Sequence, residues 1–363
     1  MTSTFASAIF LQFVGTVGSG IFVLPYVFYH SNFLFAAIFL VLLGFVSGAL
    51  NLFYCHIVSA TKGDHQLAGY AEIYLGPRFK HLALLNLILL SFGAMTAYQK
   101  LFSSFLSALF PVVGNYSPYV FIGLLGLAII SKFKINRFFS ILIPLFILLI
   151  PIVLFFYSAL FINHESYFIF QSPSFLFYGA TIFALSGLTI VPEIDETLRR
   201  GRPKKHETLA LASFLGVVLV VITYFLFSYS VVSLSGSSVS VNTVSGLLVN
   251  SPFFALVISI FGIITTFRAS LNFIHVLHEL FFRDLGLSES KSVALSFAFP
   301  LLTLVAGAIP LLTIISLTGN ITIFVSALLV ILIRFELPRS FWTEFFAILV
   351  LVCLSLGLLI SFV

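Results

Sequence analysis

The sequence predicts an all-α polytopic membrane bundle of about eleven helices, with its second half inverted relative to its first. Three observations carry this. Only 8% of residues are charged and 60% are hydrophobic, whereas soluble domains carry about 25% charged residues. Apolar runs of about 20 residues, enough to cross a bilayer, recur along the whole chain. A seven-residue pattern, SGIFVLP at 19–25, returns as SGLTIVP at 186–192, five runs later.

The first run, 5–30, contains Gly15, Gly18, Gly20 and Pro25. In a helix interior Gly costs about 1 kcal/mol and Pro about 3 kcal/mol relative to Ala. The run lacks a basic leader and an A-x-A pattern, so a retained span is expected, not a signal peptide. The following runs are 33–59, 82–110, 119–131, 138–162, 174–198, 208–233, 252–282, 293–309, 311–333 and 341–362. The fourth is short, and only the corner at Ala308-Ile309-Pro310 parts the ninth from the tenth. Gly44 and Gly48 fit simple helix packing. Cys55 and Cys353 lie inside apolar runs, so neither a disulfide framework nor metal-ligand spacing is expected. One transmembrane domain is expected over 1–362: a first repeat at about 5–162, a second at about 174–333, and an extra helix at about 341–362.

All but two of the 17 Lys and Arg fall in alternate connections. These hold Lys62, Arg78 and Lys80; Lys132, Lys134 and Arg137; Arg199, Arg200, Arg202, Lys204 and Lys205; Arg283 and Lys291; and Arg334 and Arg339. Such residues collect in cytoplasmic loops. The N-terminus is therefore expected inside and the C-terminus outside, in a plasma (inner) membrane. The same loops account for the net charge of +5 without any nucleic acid. Lys100 and Arg268 are the two cations left within spans.

The paired pattern sits at corresponding points of runs 1 and 6. An odd shift of five spans inverts the second copy, and interrupted spans at matching positions point to a transporter binding site. A helix broken at mid-membrane exposes N–H groups at one new end and C=O groups at the other. Those ends carry partial charges that suit a carboxylate and an ammonium or cation, and glycine permits close approach. The plainer alternative is a pair of ordinary kinks or packing glycines.

GTVGSGIFVLPY (15–26) resembles the span-1 motif of the amino acid–polyamine–organocation superfamily. DHQLAGYAEIYLG (64–76) is similar to the loop after span 2 in amino acid permeases, and FALSGLTIVPEIDETLRR (183–200) to their broken span 6. ITTFRASLNFIHVLHELFFRDLGL (264–287) and FAFPLLTLVAGAIPLLTIISLTGN (297–320) resemble the aromatic and hydroxy amino acid permease branch. Eleven spans suit that branch and the related eukaryotic amino acid and auxin permeases. The resemblance implies a leucine-transporter-type fold: five-plus-five inverted repeats, discontinuous helices 1 and 6, and a peripheral helix 11. It also implies alternating access and import of amino acids coupled to a proton or sodium gradient, with no cofactor.

By that resemblance Gly15, Thr16, Val17, Gly18, Ser19 and Gly20 meet the substrate carboxylate. Leu185, Ser186, Gly187, Leu188 and Thr189 meet its amino group. Leu185, Leu188 and Phe22 are apolar and neither break holds an acid, which suits a neutral substrate. Arg268 falls near the middle of span 8, where a charge normally faces the bundle interior or a water-filled cavity. Sodium-coupled members of the fold place a cation between span 1 backbone and span 8 hydroxyls, for which Thr265, Thr266 and Ser270 are candidates. Arg268 is expected either to fill that position permanently, making the protein sodium-independent, or to pair with Glu193 or snorkel to the surface. Arg does not give up its proton, so it is not the proton carrier.

Glu193 lies roughly 10 Å inward of its span centre at about 1.5 Å per residue. A carboxyl at that depth is a candidate proton carrier, or half of an inner-gate salt bridge. Asp195 and Glu196 are expected in solvent at the cytoplasmic end. Lys100 either lines an outer vestibule near Tyr98 and Tyr26 or snorkels without a role. His275, His278 and Glu279 have the wrong order for a zinc-protease motif, and no metal is expected. The polar loop 233–252 reads as a lid over the vestibule or as a passive linker. A sodium-coupled symporter and a non-transporting amino acid sensor of the same fold stand as alternatives. An enzyme is not expected, because no convergent catalytic groups share one depth.

Overall fold

The computed structural model describes residues 2–130, 137–161, 176–199, 206–338 and 341–360. Lys132, Lys134, Arg200, Arg202, Lys204, Lys205 and Arg339, from the basic connections, lie outside the described residues.

The first span is two helices, α1 (Thr2–Thr16) and α2 (Gly20–His30), bent by 60° where the glycines cluster. It is followed by α3 (Phe33–Ala60), a short α4 (Leu67–Leu75) and the long α5 (Pro77–Leu109). Gly76 ends α4 at φ +93°, its N–H donating to Ala71 O and Glu72 O, and Pro77 opens α5 at once. A left-handed glycine after one helix and a proline starting the next are the expected stop and start signals. Next come α6 (Ser117–Ile130) and α7 (Arg137–Phe161). Then α8 (Leu176–Ala184) and α9 (Val191–Arg199) flank the second break. The chain continues through α10 (His206–Ser235), α11 (Val244–Asn250) and α12 (Pro252–Glu279). It closes with α13 (Glu289–Leu302), α14 (Leu311–Thr318), α15 (Phe324–Phe335) and α16 (Phe341–Ile360).

Among the described residues, eight helices are long and apolar enough to cross a membrane, and the bent α1–α2 pair makes nine. The expected runs 174–198 and 293–309 are not continuous helices. The first breaks over 185–190; the second carries Pro300 and passes into a 3₁₀ turn at Val305–Ala308. The expected lid, 233–252, folds into a 3₁₀ turn and the seven-residue α11. Its buried Thr243 adopts φ +65°, a costly conformation for a β-branched residue, and its hydroxyl donates to the Phe22 carbonyl on α2. The loop is thus seated on the first span.

The outer faces are apolar, with Phe45, Leu127, Val153 and Trp342 each more than 60% exposed. No soluble monomer presents apolar surface on this scale; bilayer lipid covers it. The interior is where polar groups meet. Asn86 of α5 donates to the Thr322 carbonyl (3.1 Å) and to Ser326 Oγ (2.7 Å), across a π turn at Gly319–Ile323 that frees helix carbonyls. α5 packs on α12, α2 on α8, and α10 on α1, α2, α3 and α7. The two breaks therefore face each other inside the bundle.

Candidate binding cavity at the paired breaks

Both breaks leave carbonyls whose helical donors are missing, and in a membrane each must find another partner. In an unbroken helix the Val14 carbonyl would take the Gly18 N–H; instead Arg268 Nη1 of α12 donates to it at 3.1 Å. The Tyr224 hydroxyl of α10 lies 2.8 Å from Ala184 O and 3.2 Å from Thr16 O, so one side chain serves the last carbonyls of both α8 and α1. Ser47 of α3 donates to Leu185 O at 2.7 Å. Gln12, fully buried on α1, donates from Nε2 to Gly187 O (3.2 Å) and to Thr16 Oγ1 (3.0 Å), and accepts from Ser213 Oγ (2.9 Å). Tyr224→Phe removes the one proton that these two buried carbonyls share. The expected cost is about 1–3 kcal/mol, read as a lower melting temperature in detergent.

The glycines at the breaks let the two half-helix pairs touch. A Cβ on Gly20 would sit 2.3 Å from Ala184 Cβ, one on Gly15 2.6 Å from Ile190, and one on Gly187 2.3 Å from Thr16 Oγ1. None of these glycines is in the left-handed region. Close approach, not backbone freedom, is what they supply.

Between the breaks lies a cavity of about 10 Å³, the room of a single water. Of the expected residues, Gly15, Thr16, Gly18, Ser19, Gly20, Tyr98, Ser186 and Thr189 line it. Val17 and Leu185 are buried in packing, and Gly187 faces Gln12 and Thr16. Leu188 lines a separate cavity of about 20 Å³ on the α3–α5 side of the second break. Phe22 is fully buried in an aromatic cluster, its ring centroid 4.7 Å from Phe105, 5.7 Å from Phe227 and 5.5 Å from Phe261. Sequence reasoning missed Phe183, Asn272, Phe273 and Val276 on the cavity wall. Asn272 lies one turn past Arg268, so helical spacing alone places it on the same face. The Ser19 hydroxyl, at the start of α2, and the Asn272 amide nitrogen are buried without a hydrogen-bond partner among the described residues. Both are free to meet a guest.

The cavity is shut off from the basic-loop end by ion pairs. Arg199 of α9 pairs with Asp64, ahead of α4, and with Asp195 at 2.9 Å. Arg283, just past α12, pairs with Glu279 and reaches Glu196 at 2.7 Å. Asp284 accepts the Gly69 N–H at 3.0 Å, with His65 3.7 Å away. Asp195 is 4% exposed, which corrects the expectation of a solvated carboxylate. Glu196, half-exposed, is likewise drawn into the network. A carboxylate taken out of water needs a cation beside it, and α9 supplies one at Arg199. Glu193 faces His275 Nε2 at 3.9 Å, while Arg268 turns to Val14. The Thr265, Thr266 and Ser270 hydroxyls donate to carbonyls of their own helix. His275, His278 and Glu279 offer ligand atoms within 4.8 Å of one another, but Arg283 already holds the Glu279 carboxylate.

Spans broken at matching points around a closed polar cavity define a secondary transporter of the leucine-transporter type. Comparison with known proteins agrees. A family model for transmembrane amino acid transporter proteins matches residues 1–363, and the chain belongs to that family. No curated protein sequence matches it. Among solved structures it is similar to the manganese transporter of Eremococcus coleocola, with TM-score 0.71 at 13% identity, covering 99% of this chain and 86% of that one. It is also similar to MhsT in complex with L-phenylalanine, with TM-score 0.63 at 15% identity over 98% and 97% of the two chains. Mhp1, a nucleobase-cation-symport-1 family transporter, gives 0.64 at 14% identity over 98% and 89%. At such identities the likeness is one of fold.

Proposed function

We propose that the protein imports neutral amino acids by alternating access, coupled to protons and independent of sodium. The observation that carries this reading is the cavity between the breaks. The N-terminal end of α2, with the unpartnered Ser19 hydroxyl, offers donors and partial positive charge to a carboxylate. The carbonyl end of α8 and the break after it, where Ser186 and Thr189 line the cavity, lie opposite and suit an ammonium. Among the described residues no acid lines the cavity, which fits a substrate of no net charge. In this conformation the cavity is contracted, and binding requires Tyr98 and Phe273 to withdraw.

Sodium independence rests on Arg268. Its guanidinium already supplies, at the Val14 carbonyl, the positive charge that a bound cation would bring. Glu193, beside His275, is the proposed proton carrier. This reading puts the N-terminus in the cytoplasm, supported by the basic connections of the sequence, and, with eleven spans in two inverted repeats and a peripheral last helix, the C-terminus outside a plasma (inner) membrane.

Uptake of radiolabelled amino acids into proteoliposomes tests the proposal. Accumulation is expected to survive replacement of sodium by choline and to collapse when the pH gradient is dissipated. A sodium requirement would sink the Arg268 argument. Saturable binding without accumulation would favour a sensor.

A further inference from the structure

At the end of the bundle opposite the basic loops lies a second, larger cavity of about 490 Å³. It is bounded by α5, by the loop carrying α11, and by the turn between α13 and α14. A neighbouring space of about 580 Å³ shares Ser103, Ser104 and Asn242 with it. It sits one helical turn beyond Tyr98, outside the cavity between the breaks.

Its chemistry is one-sided. Lys100 of α5 enters it, and the ammonium donates to the Gly307 carbonyl at 2.7 Å. Among the described residues no carboxylate lines either space, and their carboxylates all lie toward the basic-loop end. Among the described residues Lys100 is thus a cation without a carboxylate partner, with His30 at the same end; His164 and Glu165 lie outside the described residues. Two donors beside it on α5 also lack partners among the described residues. Gln99, 4% exposed, has a buried Nε2 without an acceptor, and the buried Ser103 hydroxyl has none. Residues 99, 100 and 103 lie within about one turn of α5 and all three line this space, the ammonium entering it and the two unpartnered donors buried in its wall. Unsatisfied buried donors are costly, and an acceptor of negative charge satisfies all three with charge-assisted bonds.

We infer that this vestibule is a binding site for a small organic carboxylate, held by Lys100, Gln99 and Ser103. A lone positive charge within low-dielectric walls raises the local concentration of anions and repels cations. The site therefore admits carboxylate-bearing solutes and disfavours polyamines before anything reaches the breaks. Its ligand chemistry stands independently of whether the protein transports.

Amine acetylation of the purified full chain in detergent tests it, with Lys100 and the surface residue Lys62 read by peptide mass spectrometry. Propionate and its uncharged amide, propionamide, are the probes. Propionate at about 20 mM is expected to slow acetylation of Lys100 about threefold relative to Lys62, and propionamide to leave it unchanged. Equal rates with the two probes, or a Lys100 that is not acetylated at all, would overturn the site. In transporting vesicles, Lys100→Gln is expected to raise KM about three- to tenfold and leave the maximal rate unchanged. It is also expected to remove the dependence of KM on ionic strength. A loss of maximal rate with unchanged KM would contradict the proposed role. Protection of Lys100 in a protein that fails to accumulate amino acids would leave the vestibule intact and refute transport alone.

Discussion

Arg268→Gln is expected to reduce amino acid uptake by one to two orders of magnitude while the protein still folds and inserts. The guanidinium takes the place of the Gly18 N–H at the Val14 carbonyl, 3.1 Å away, and so holds α12 against the end of α1. A hydrogen bond to a charged group is worth about 1.5–3 kcal/mol, which is roughly a 10- to 150-fold change in the population it stabilises. Glutamine is too short to reach and carries no charge, so it restores neither the bond nor the field. Arg268→Lys keeps the charge on a shorter, non-planar donor and is expected to retain an intermediate rate. Initial uptake rates, normalised to protein in the vesicle, separate the three. A glutamine variant with full activity would remove Arg268 from the transport cycle.

The second large effect is steric. Gly20→Ala places a methyl group 2.3 Å from Ala184 Cβ and 2.5 Å from Ala184 Cα. Backbone cannot swing aside as a side-chain tip can, so the two breaks must separate. Overpacking of this kind costs about 1–3 kcal/mol. Gly123→Ala serves as the matched control, because its Cβ meets nothing within 4 Å on the helical α6. There the gain in helix propensity, up to about 1 kcal/mol, is expected to leave stability equal or higher. Thermal unfolding in detergent compares them. A Gly20→Ala protein as stable as the control would show that the breaks do not need to touch.

What the sequence makes legible is whatever has a local signature. The glycines and Pro25 mark the first break, the repeated SG…P pattern marks the second, and the basic connections mark one end of the bundle. Arg268 announces itself as a charge in the middle of an apolar run, but no local signature singles out Val14 as the carbonyl it meets. The side chains that finish the broken ends are less visible. Gln12 reaches Gly187 across 175 positions and Tyr224 reaches Thr16 across 208. A buried glutamine or tyrosine in an apolar run looks the same whether it caps a carbonyl or only fills space. Asp195 misleads for a related reason. It stands in a polar segment, EIDETLRR, which reads as solvated until Asp64 and Arg199 close over it. The six-residue interruption that separates α8 from α9 follows from the same limit, because hydropathy does not register where a backbone stops being helical.

The Tyr224 hydroxyl carries one proton for two carbonyls, Thr16 O on α1 and Ala184 O on α8. If the half-helices drift apart the hydroxyl can follow only one of them, and the oxygen left without it costs about 1–3 kcal/mol. Gly20 of α2 against Ala184 of α8, and Gln12 of α1 against Gly187 in the second break, join the two broken spans at further points. Mechanically, then, the two broken spans are fastened to each other at their breaks, α2 lying on α8 and α1 on α9. Two rods pinned at their middles swing against each other only about that pin, so the joint itself keeps the two ends from moving independently.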